Sequence, residues 1–211
     1  LLLSRNNQGL QIEQEIMKRI IDIVGSLIGI VITIPIFLIV GICIKMTDGG
    51  PVIYQQTRLT KNGKKFQIYK FRTMVQNAEA DGKARLASEG DPRILPIGRV
   101  LRATRLDELP QIYNILKGDM SIVGPRPERP ELAAEIEKEI PEFCYRLKMK
   151  AGLTGYAQVM GNYNTCFLDK LKWDLTYIRN YSVLEDLKLI IMTPKIMLMK
   201  ESTEGVKEEQ Q

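Results

Sequence analysis

Residues 20–44 of the chain, IIDIVGSLIGIVITIPIFLIVGICI, form its most apolar segment and hold a single charged residue, Asp22. A segment this long and apolar is typical of a membrane helix, although a fully buried helix of a soluble protein has the same pattern. A straight helix of this length would measure about 37 Å, which is enough to cross the hydrocarbon core of a bilayer.

Pro35 lies well inside this apolar segment. Proline removes one helical hydrogen bond and clashes with the preceding turn, so a kink is expected there. The arms on either side would be only about 22 Å and 14 Å long, too short for either to cross a bilayer alone. The sequence therefore predicts either a kinked transmembrane helix or a re-entrant hairpin whose two ends lie on one side of the membrane.

Basic residues flank the apolar segment on both sides. Lys18 and Arg19 precede it and Lys45 follows it, and we expect all three to reach lipid headgroups. Residues 45–105 hold 13 Lys or Arg against 5 Asp or Glu. Because the more basic flank of a membrane segment stays in the cytoplasm, a cytoplasmic domain is predicted to follow. The predicted divisions are a linker or the end of a longer N-terminal region (1–16), a membrane segment that is a kinked helix or a re-entrant helix-hairpin (17–46), a cytoplasmic domain (47–200) and a disordered tail (201–211).

Composition excludes several classes of site. The chain contains no histidine, so serine–histidine catalysis in its common form is excluded, and acid–base or metal roles fall to other side chains. The three cysteines, Cys43, Cys144 and Cys166, lack C-x-x-C spacing, which argues against a zinc site or a disulfide framework and fits a reducing compartment. The chain also lacks a Walker-type loop, a G-x-G-x-x-G loop and an Asp-x-Asp motif. We expect no nucleic-acid partner, and an oligomer stays possible.

The remainder of the chain predicts an α+β domain that is mostly helical and carries a small β-hairpin. Residues 52–60 and 65–71 are predicted strands around Asn62-Gly63, a pair that favours a tight type I′ turn. Residues 74–88 are predicted to be helical. This hairpin and its neighbouring helices form the predicted domain that follows the membrane segment.

A final helix is predicted over residues 183–199. It is rich in Leu, Ile and Met but contains Lys188 and Lys195, so it is too short and too charged to span a bilayer. We expect this helix either to lie on the membrane surface as an interfacial helix or to pack on the domain.

Residues 99–127, RVLRATRLDELPQIYNILKGDMSIVGPRP, place the adjacent acids Asp107 and Glu108 between two groups of arginines. Carboxylates can act as a nucleophile, a general base or a metal ligand, and guanidinium groups fit phosphate oxygens. The combination points to phosphate chemistry, whereas the alternative is a surface helix with ion pairs. The arginines in question are Arg99, Arg102, Arg105 and Arg126.

Prolines near the acid pair add local detail. Pro110 is best tolerated in the first turn of a helix, which puts Asp107 at or beside a helix N-terminus. There Asp107 is either a simple helix cap or an ionised group beside a phosphate site. Pro125 and Pro127 flank Arg126 and restrict its backbone, so one guanidinium could be held as a phosphate clamp at low entropic cost.

Four segments together resemble the bacterial sugar transferase family, the monotopic polyprenyl-phosphate phosphoglycosyl transferases. They are GGPVIYQQTRLTKNGKKFQIYKFRTM (49–74), DPRILPIGRVLRATRLDELPQIYNILKGDMSIVGPRPE (91–128), KAGLTGYAQVMGNYNT (150–165) and DLTYIRNYSVLEDLKLI (174–190). Their order and spacing make the resemblance specific, and it covers roughly residues 18–200. The third segment looks most like enzymes that initiate exopolysaccharide or O-antigen synthesis. One departure is Ala151, where many members have proline.

This resemblance implies a reaction and a set of site residues. A sugar 1-phosphate would pass from a UDP-sugar to undecaprenyl phosphate with release of UMP, which begins a lipid-linked glycan. Asp107 would attack the β-phosphate and form a covalent intermediate, with Glu108 as its partner. Either acid could also ligate the Mg²⁺ that the family uses. The implied phosphate and nucleotide contacts come from Lys70, Arg72, Arg93, Arg102, Pro125, Arg126 and Pro127.

The resemblance also implies where the chain lies. Pro35 would turn the apolar helix back as a re-entrant element, with Lys18 and Arg19 at its membrane entry. The catalytic domain would then sit on the cytoplasmic face of the bacterial inner membrane, in contact with phospholipid. Two other functions stay open: a membrane-anchored scaffold that binds anionic lipid without turnover, and a single-span glycosyltransferase that releases UDP.

Overall fold

The computed structural model of the protein describes residues 12–76, 78, 90–161 and 165–197. Three short 3₁₀ segments, Lys61–Gly63, Leu106–Glu108 and Pro141–Lys148, lie between its helices and strands. This mostly helical domain with small sheets and a long apolar N-terminal helix confirms the predicted fold class. The helices and strands in chain order are α1 (Ile12–Asp48), β1 (Ile53–Leu59), β2 (Lys65–Phe71), α2 (Pro96–Ala103), α3 (Gln111–Lys117), β3 (Ser121–Val123), α4 (Pro130–Glu139), β4 (Gly152–Thr154), α5 (Tyr156–Met160), α6 (Phe167–Arg179) and α7 (Val183–Met197).

β1 and β2 form the predicted antiparallel hairpin, with Leu59 opposite Lys65 next to the turn. Asn62 and Gly63 both have positive φ, 59° and 72°. A type I′ turn requires positive φ at both central residues, and Asn-Gly accepts this at low cost. The hairpin prediction is therefore confirmed in both its strands and its turn.

β3 and β4 form a separate parallel pair, with Ser121 opposite Gly152. The two strands approach so closely that a Cβ on Gly152 would lie 2.1 Å from the backbone nitrogen of Gly124. Glycine is needed where two backbones meet at such a distance. This contact holds the start of the loop that carries Arg126.

A shared core fixes α3 between the hairpin and the β3–β4 pair. Phe66 of β2 packs in one apolar cluster with Ile115 of α3 and Met120. The fully buried Asn114 of α3 also donates to the backbone oxygen of Gln67 at 2.7 Å, which joins the helix to β2. Because α3 follows directly after the acid pair, these contacts also position that pair.

α1 runs from Ile12 to Asp48 as one helix that includes Pro35. This corrects one expectation, because the predicted break at Pro35 does not interrupt the helix. The helix begins at Ile12, within the segment 1–16 that was predicted to be a linker or the end of a longer N-terminal region. Any change of direction at Pro35 is thus a bend within a helix, since proline removes only one hydrogen bond from the ladder. Thr33 Oγ1 also donates to the oxygen of Gly29 at 2.7 Å, a side-chain bond that favours bending.

The two faces of α1 are inverted relative to a water-soluble surface helix. The inner face is largely polar, and its buried residues are Lys18, Asp22, Ser26, Thr33, Val40 and Ile44. The outer face consists of large apolar side chains, among them Val31 at 69% exposure and Leu38 at 63%. Surface helices in water place polar residues outward and apolar residues inward. The outer face of α1 is therefore suited to an apolar environment.

The basic residues before the apolar segment do not reach outward, which corrects the prediction that they contact headgroups. Lys18 is 6% exposed, and its Nζ lies 2.7 Å from Asp186 Oδ2 on α7. Arg19 donates to the backbone oxygens of Ile115 and Leu116 at 2.7 and 2.6 Å. The last backbone carbonyls of α3 have no partner within the helix and attract a cation. Arg19 is therefore held against the domain instead of projecting outward.

α7 is docked on the domain, which is one of the two arrangements predicted for the final helix. Leu189 and Asp186 are buried against the domain, whereas Leu184 and Ile191 are 77% and 76% exposed. The helix is therefore docked and still presents an apolar outer face, as an interfacial helix does.

Two predictions concern segments that the structure covers only in part or not at all. Residue 77 and residues 79–88 of the predicted helix 74–88 lie outside the described residues, and Met74 instead forms a β-bridge with Ile94. The predicted tail, 201–211, also lies outside them, so its disorder stays a prediction.

Candidate active site

The acid pair lies on the one-turn 3₁₀ segment Leu106–Glu108, between α2 and α3. Arg105 precedes it in the left-handed region, at φ 54°. The residue at the N-cap position of α3 is Pro110, so the interpretation of Asp107 as a helix cap is wrong. Pro110 ends the 3₁₀ turn and begins a new helix, which moves the helix start beyond the acids.

Glu108 is buried and receives two cations. Its Oε1 accepts hydrogen bonds from Lys70 Nζ at 2.9 Å and from Arg126 Nη2 at 2.8 Å. Burial alone would raise the pKa of Glu108, but Arg126 and Lys70 together hold this pKa well below its usual range. This environment favours the charged form of Glu108, which orients the two cations around it.

Asp107 has the opposite environment although it is the adjacent residue. Burial raises the pKa of Asp107 and the charge of Glu108 adds to the rise, while Lys70 and Arg102 oppose it. Among the residues that the structure describes, none forms a hydrogen bond or ion pair with the Asp107 carboxylate. A pair of carboxylates whose pKa values are driven apart is the usual sign of divided chemical roles.

Hydrogen bonds fix the backbone at and beside Arg126, whereas the Arg126 side chain is partly exposed. Its own oxygen accepts from Arg146 Nη2 at 2.9 Å, the oxygen of Pro125 accepts from the Gly152 nitrogen at 2.9 Å, and the oxygen of Pro127 accepts from Arg58 Nη1 at 3.2 Å. The Arg126 side chain is nevertheless 42% exposed. A guanidinium on such a fixed loop can meet an anion with little loss of conformational entropy.

Behind this loop lies an ion pair that sequence reasoning missed. Arg146 Nη2 lies 2.7 Å from Asp174 Oδ2, and both side chains are almost fully buried. Arg146 also approaches Glu128 at 3.5 Å. Asp174 sits on α6 between the apolar residues Leu171 and Leu175. A carboxylate on the apolar face of a helix was the available signal, because such a group needs a buried cation.

The structure brings together some of the predicted phosphate-binding residues and not others. Lys70 and Arg126 contact Glu108, and Arg102 lies close enough for its charge to lower the pKa of Asp107. Arg102 Nε also donates to Thr73 Oγ1 at 3.0 Å. Three of the predicted cations thus converge on the acid pair.

Arg72 and Arg93 are instead committed to carboxylates elsewhere. Arg72 is 5% exposed, and its Nη1 lies 2.5 Å from Asp48 Oδ2, which joins the end of α1 to β2. Arg93 Nη2 lies 2.6 Å from Asp91 and lowers the pKa of Asp91 to about 2. Their predicted phosphate contacts gain no support from this geometry, because each guanidinium already has an ionic partner.

The chain matches the bacterial sugar transferase family over residues 13–200. It is 40% identical over 185 residues to the UDP-N-acetylgalactosamine-undecaprenyl-phosphate N-acetylgalactosaminephosphotransferase of Aeromonas hydrophila, covering 86% of this chain and 44% of that protein. It is 38% identical over 200 residues to the undecaprenyl-phosphate galactose phosphotransferase of Salmonella typhimurium strain LT2, covering 88% and 41%.

A shorter relative gives fuller coverage. The chain is 37% identical over 189 residues to the UDP-glucose:undecaprenyl-phosphate glucose-1-phosphate transferase of Caulobacter vibrioides, covering 87% of this chain and 70% of that protein. The chain thus spans less than half the length of the Aeromonas and Salmonella relatives. With a family match over nearly the whole chain and this level of identity, the chain belongs to the bacterial sugar transferase family.

Proposed function

We propose that this chain transfers a sugar 1-phosphate from a UDP-sugar to undecaprenyl phosphate and releases UMP, through a covalent aspartyl intermediate on Asp107. This would be the first membrane step of exopolysaccharide, capsule or O-antigen assembly. The observation that carries the proposal is the asymmetry of the acid pair. Glu108 is bound by Lys70 and Arg126, while Asp107 is the more basic carboxylate and has no partner among the described residues.

The relatives support the acceptor more strongly than the sugar. All three carry undecaprenyl phosphate in their names, whereas the sugars named are N-acetylgalactosamine, galactose and glucose. We therefore propose undecaprenyl phosphate as the acceptor and a UDP-sugar as the class of donor.

In the first step, an Asp107 oxygen attacks the β-phosphorus of the donor. A carboxylate–phosphorus bond forms, the bond from phosphorus to the bridging oxygen breaks, and UMP leaves with that electron pair. Phosphoryl transfer depends mainly on positioning and charge neutralisation. Arg126 and Lys70, oriented by Glu108, would neutralise charge on the transferred phosphate and on the leaving group.

In the second step, a phosphate oxygen of the lipid acceptor attacks the same phosphorus. The bond to Asp107 breaks, the carboxylate is regenerated, and the product is a lipid diphosphate sugar. The acceptor brings its own negative charge, so it needs no general base to attack. The same cations would offset the repulsion between two phosphates in this step.

We also propose that the reaction uses Mg²⁺. Within residues 12–76, 78, 90–161 and 165–197, no cluster of three or more Asp, Glu or Cys forms a metal cage. Mg²⁺ is usually held by only one or two carboxylates together with substrate phosphates and water, so the adjacent acids Asp107 and Glu108 fit it. When bound, it would supply positive charge to the diphosphate.

We propose further that α1 lies in the cytoplasmic leaflet of the bacterial inner membrane as a re-entrant element bent at Pro35, with the catalytic domain on the cytoplasmic face. Both ends of the helix contact that domain, through Lys18 near one end and Ile44 near the other. The helix is long and apolar enough to cross a bilayer, but a crossing helix would carry one of these contacts away from the domain. The apolar outer faces of α1 and α7 support contact with phospholipid.

Intact-protein mass spectrometry tests the reaction most directly. The purified protein is mixed with Mg²⁺ and a panel of UDP-sugars, beside Asp107→Asn and the control Asp169→Asn on the exposed surface of α6. We expect a mass gain of one phosphosugar with a preferred donor, unchanged in the control and absent in Asp107→Asn.

Nucleotide analysis after addition of undecaprenyl phosphate separates the alternatives. UMP as product supports the proposal, and UDP as product would identify a glycosyltransferase. Binding to anionic vesicles without any nucleotide release would identify a scaffold. Normal turnover by Asp107→Asn would overturn the assignment of the nucleophile.

A further inference from the structure

One face of the β1–β2 hairpin carries polar side chains that the steps above leave unused. Alternate residues of a strand share a face, so Tyr54, Gln56 and Arg58 of β1 project to the same side. Tyr54 lies directly opposite Lys70 in the hairpin register, and residues in this relation have Cβ atoms about 5 Å apart on one face. Lys70 is the cation bound to Glu108, so this face adjoins the acid pair.

Side-chain contacts link the same face to the loop that carries Arg126. Arg58 Nη2 donates to Gln56 Oε1 at 2.7 Å, and Arg58 Nη1 donates to the oxygen of Pro127 at 3.2 Å. The hairpin face therefore forms one wall of the site, which extends from Lys70 beside the acid pair to Arg58 beside the Arg126 loop.

Within this wall, Arg58 is already engaged and Gln56 is not. Arg58 is bound by Gln56 and Pro127 and lies 3.9 Å from Glu128, and burial lowers its pKa to about 10. The Gln56 oxygen is taken by Arg58, which leaves the amide N–H₂ group without an acceptor among the described residues. The ring of Tyr54 is 40% exposed beside it.

The charge around the acid pair indicates which part of a donor would meet this wall. Arg102 of α2 lies close enough to Asp107 to lower the pKa of this carboxyl, and it offers a cation to a second phosphate. The hairpin side beyond Lys70 offers a neutral amide and an aromatic ring. A sugar ring is neutral, carries hydroxyl groups that accept from an amide, and has apolar C–H faces that pack on aromatic rings.

Building on the proposed function, we propose that Gln56 and Tyr54 bind the sugar of the UDP-sugar donor and contribute to its selection. The Gln56 amide donates to a sugar hydroxyl, and the Tyr54 ring packs against the sugar. Gln56 would therefore make two contacts. Its side-chain oxygen accepts from Arg58, and its N–H₂ group would donate to a sugar hydroxyl.

The neighbouring glutamine supplies a matched control. Gln55 is exposed and projects to the opposite face of β1, so Gln56→Met and Gln55→Met make the same change on the two faces. The steady-state rate of UMP release is measured in the presence of undecaprenyl phosphate with UDP-galactose, UDP-glucose and UDP-N-acetylgalactosamine, together with inhibition by UDP. We expect Gln56→Met to lower kcat/KM for the preferred donor by about three- to tenfold and to change the ratio between donors. Gln55→Met should leave both unchanged.

Two further variants separate binding from folding. Gln56→Glu keeps an oxygen for Arg58 but loses the N–H₂ donor, so it should retain the melting temperature and still lose discrimination between donors. Tyr54→Ala should raise KM for the donor without weakening inhibition by UDP, since UDP lacks the sugar.

Equal effects of the Gln56 and Gln55 substitutions would overturn this inference. Weakened UDP inhibition in Gln56→Met, equal to the loss in kcat/KM, would also overturn it, because these residues would then contact the nucleotide. If the unsubstituted protein released no UMP from any UDP-sugar, the proposed function itself would fail, and this inference with it.

Discussion

Two ionic clusters in this protein use similar residues in contrasting ways. The anchoring cluster consists of Lys18, Tyr177 and Asp186, with Lys18 Nζ 2.7 Å from Asp186 and the Tyr177 hydroxyl 2.6 Å from the same carboxylate. The side chains of its charged pair are only 7% and 2% exposed.

The other cluster, which we propose to be catalytic and name the catalytic cluster, consists of Lys70, Glu108 and Arg126. Here one carboxylate receives two cations, and the cation side chains are 20% and 42% exposed. The anchoring cluster is balanced in charge and closed, whereas the catalytic cluster has an excess of positive charge and is open to solvent. Charge balance and exposure therefore distinguish the two clusters, although their residue types are similar. A balanced and buried cluster stabilises the fold, whereas a partly exposed cluster with excess positive charge can bind an anion.

The largest expected effect is on stability and comes from the anchoring cluster. Lys18→Met leaves Asp186 as a buried carboxylate without its cation, which should lower the free energy of unfolding by about 3–5 kcal/mol. Lys45→Met on the exposed side of the same helix is the control, with an expected change within about 0.5 kcal/mol. Chemical denaturation in detergent measures both, and equal values would show that the anchoring cluster does not hold α1 to the domain.

In the catalytic cluster, the next substitution should affect activity rather than stability. Glu108→Gln removes the charge that orients Lys70 and Arg126, so formation of the covalent intermediate should slow by about 100-fold. Because the two cations are partly exposed, water can solvate them and the melting temperature should change little. Glu131→Gln on the exposed surface of α4 serves as the control. A large loss of stability with normal activity would reverse the distinction between the clusters.

The pH dependence sharpens the distinction between the two acids. The proposed reaction requires Asp107 to be ionised, so activity should be present above the pKa of Asp107 and lost as pH falls through it. Arg102 lowers this pKa, so Arg102→Gln should raise it and move the acid limb of the profile to higher pH. The rate of adduct formation is measured from about pH 4 to about pH 8, a range that includes ordinary and raised pKa values of carboxyl groups. Arg99→Gln on the same helix is the control and should leave the acid limb of the pH profile unchanged. An unchanged acid limb in Arg102→Gln would contradict the assignment of this limb to Asp107.

The smallest expected effect lies at Ala151, outside both clusters, where many relatives of this family were expected to have proline. The Ala151 N–H donates to Thr60 Oγ1 at 3.1 Å, a bond that proline cannot make. Ala151→Pro loses this bond but restricts the unfolded chain, so the net change in unfolding free energy should stay within about 1 kcal/mol. Thermal unfolding tests this, and a loss several times larger would mean that the Thr60 contact governs the turn.

Much of the fold could be predicted because its signals are local. Asn62-Gly63 specifies its hairpin turn through the φ values that these residues accept, and residues 20–44 are apolar whatever surrounds them. The predicted break of this helix at Pro35 was wrong. Pro35 removes one hydrogen bond, but whether the helix ends or only bends depends on the contacts along both of its halves.

Four features could be predicted from local sequence because each depends on neighbouring residues: the apolar helix, the hairpin, the adjacency of Asp107 and Glu108, and the restricted backbone around Arg126. The cations that reach the acids could not be predicted in this way, since they come from distant parts of the chain. Arg126 and Lys70 meet Glu108 across 18 and 38 residues of chain, whereas Arg72, two residues after Lys70, turns to Asp48. Such choices depend on burial and on the nearest unpaired charge in space, neither of which is encoded in local spacing.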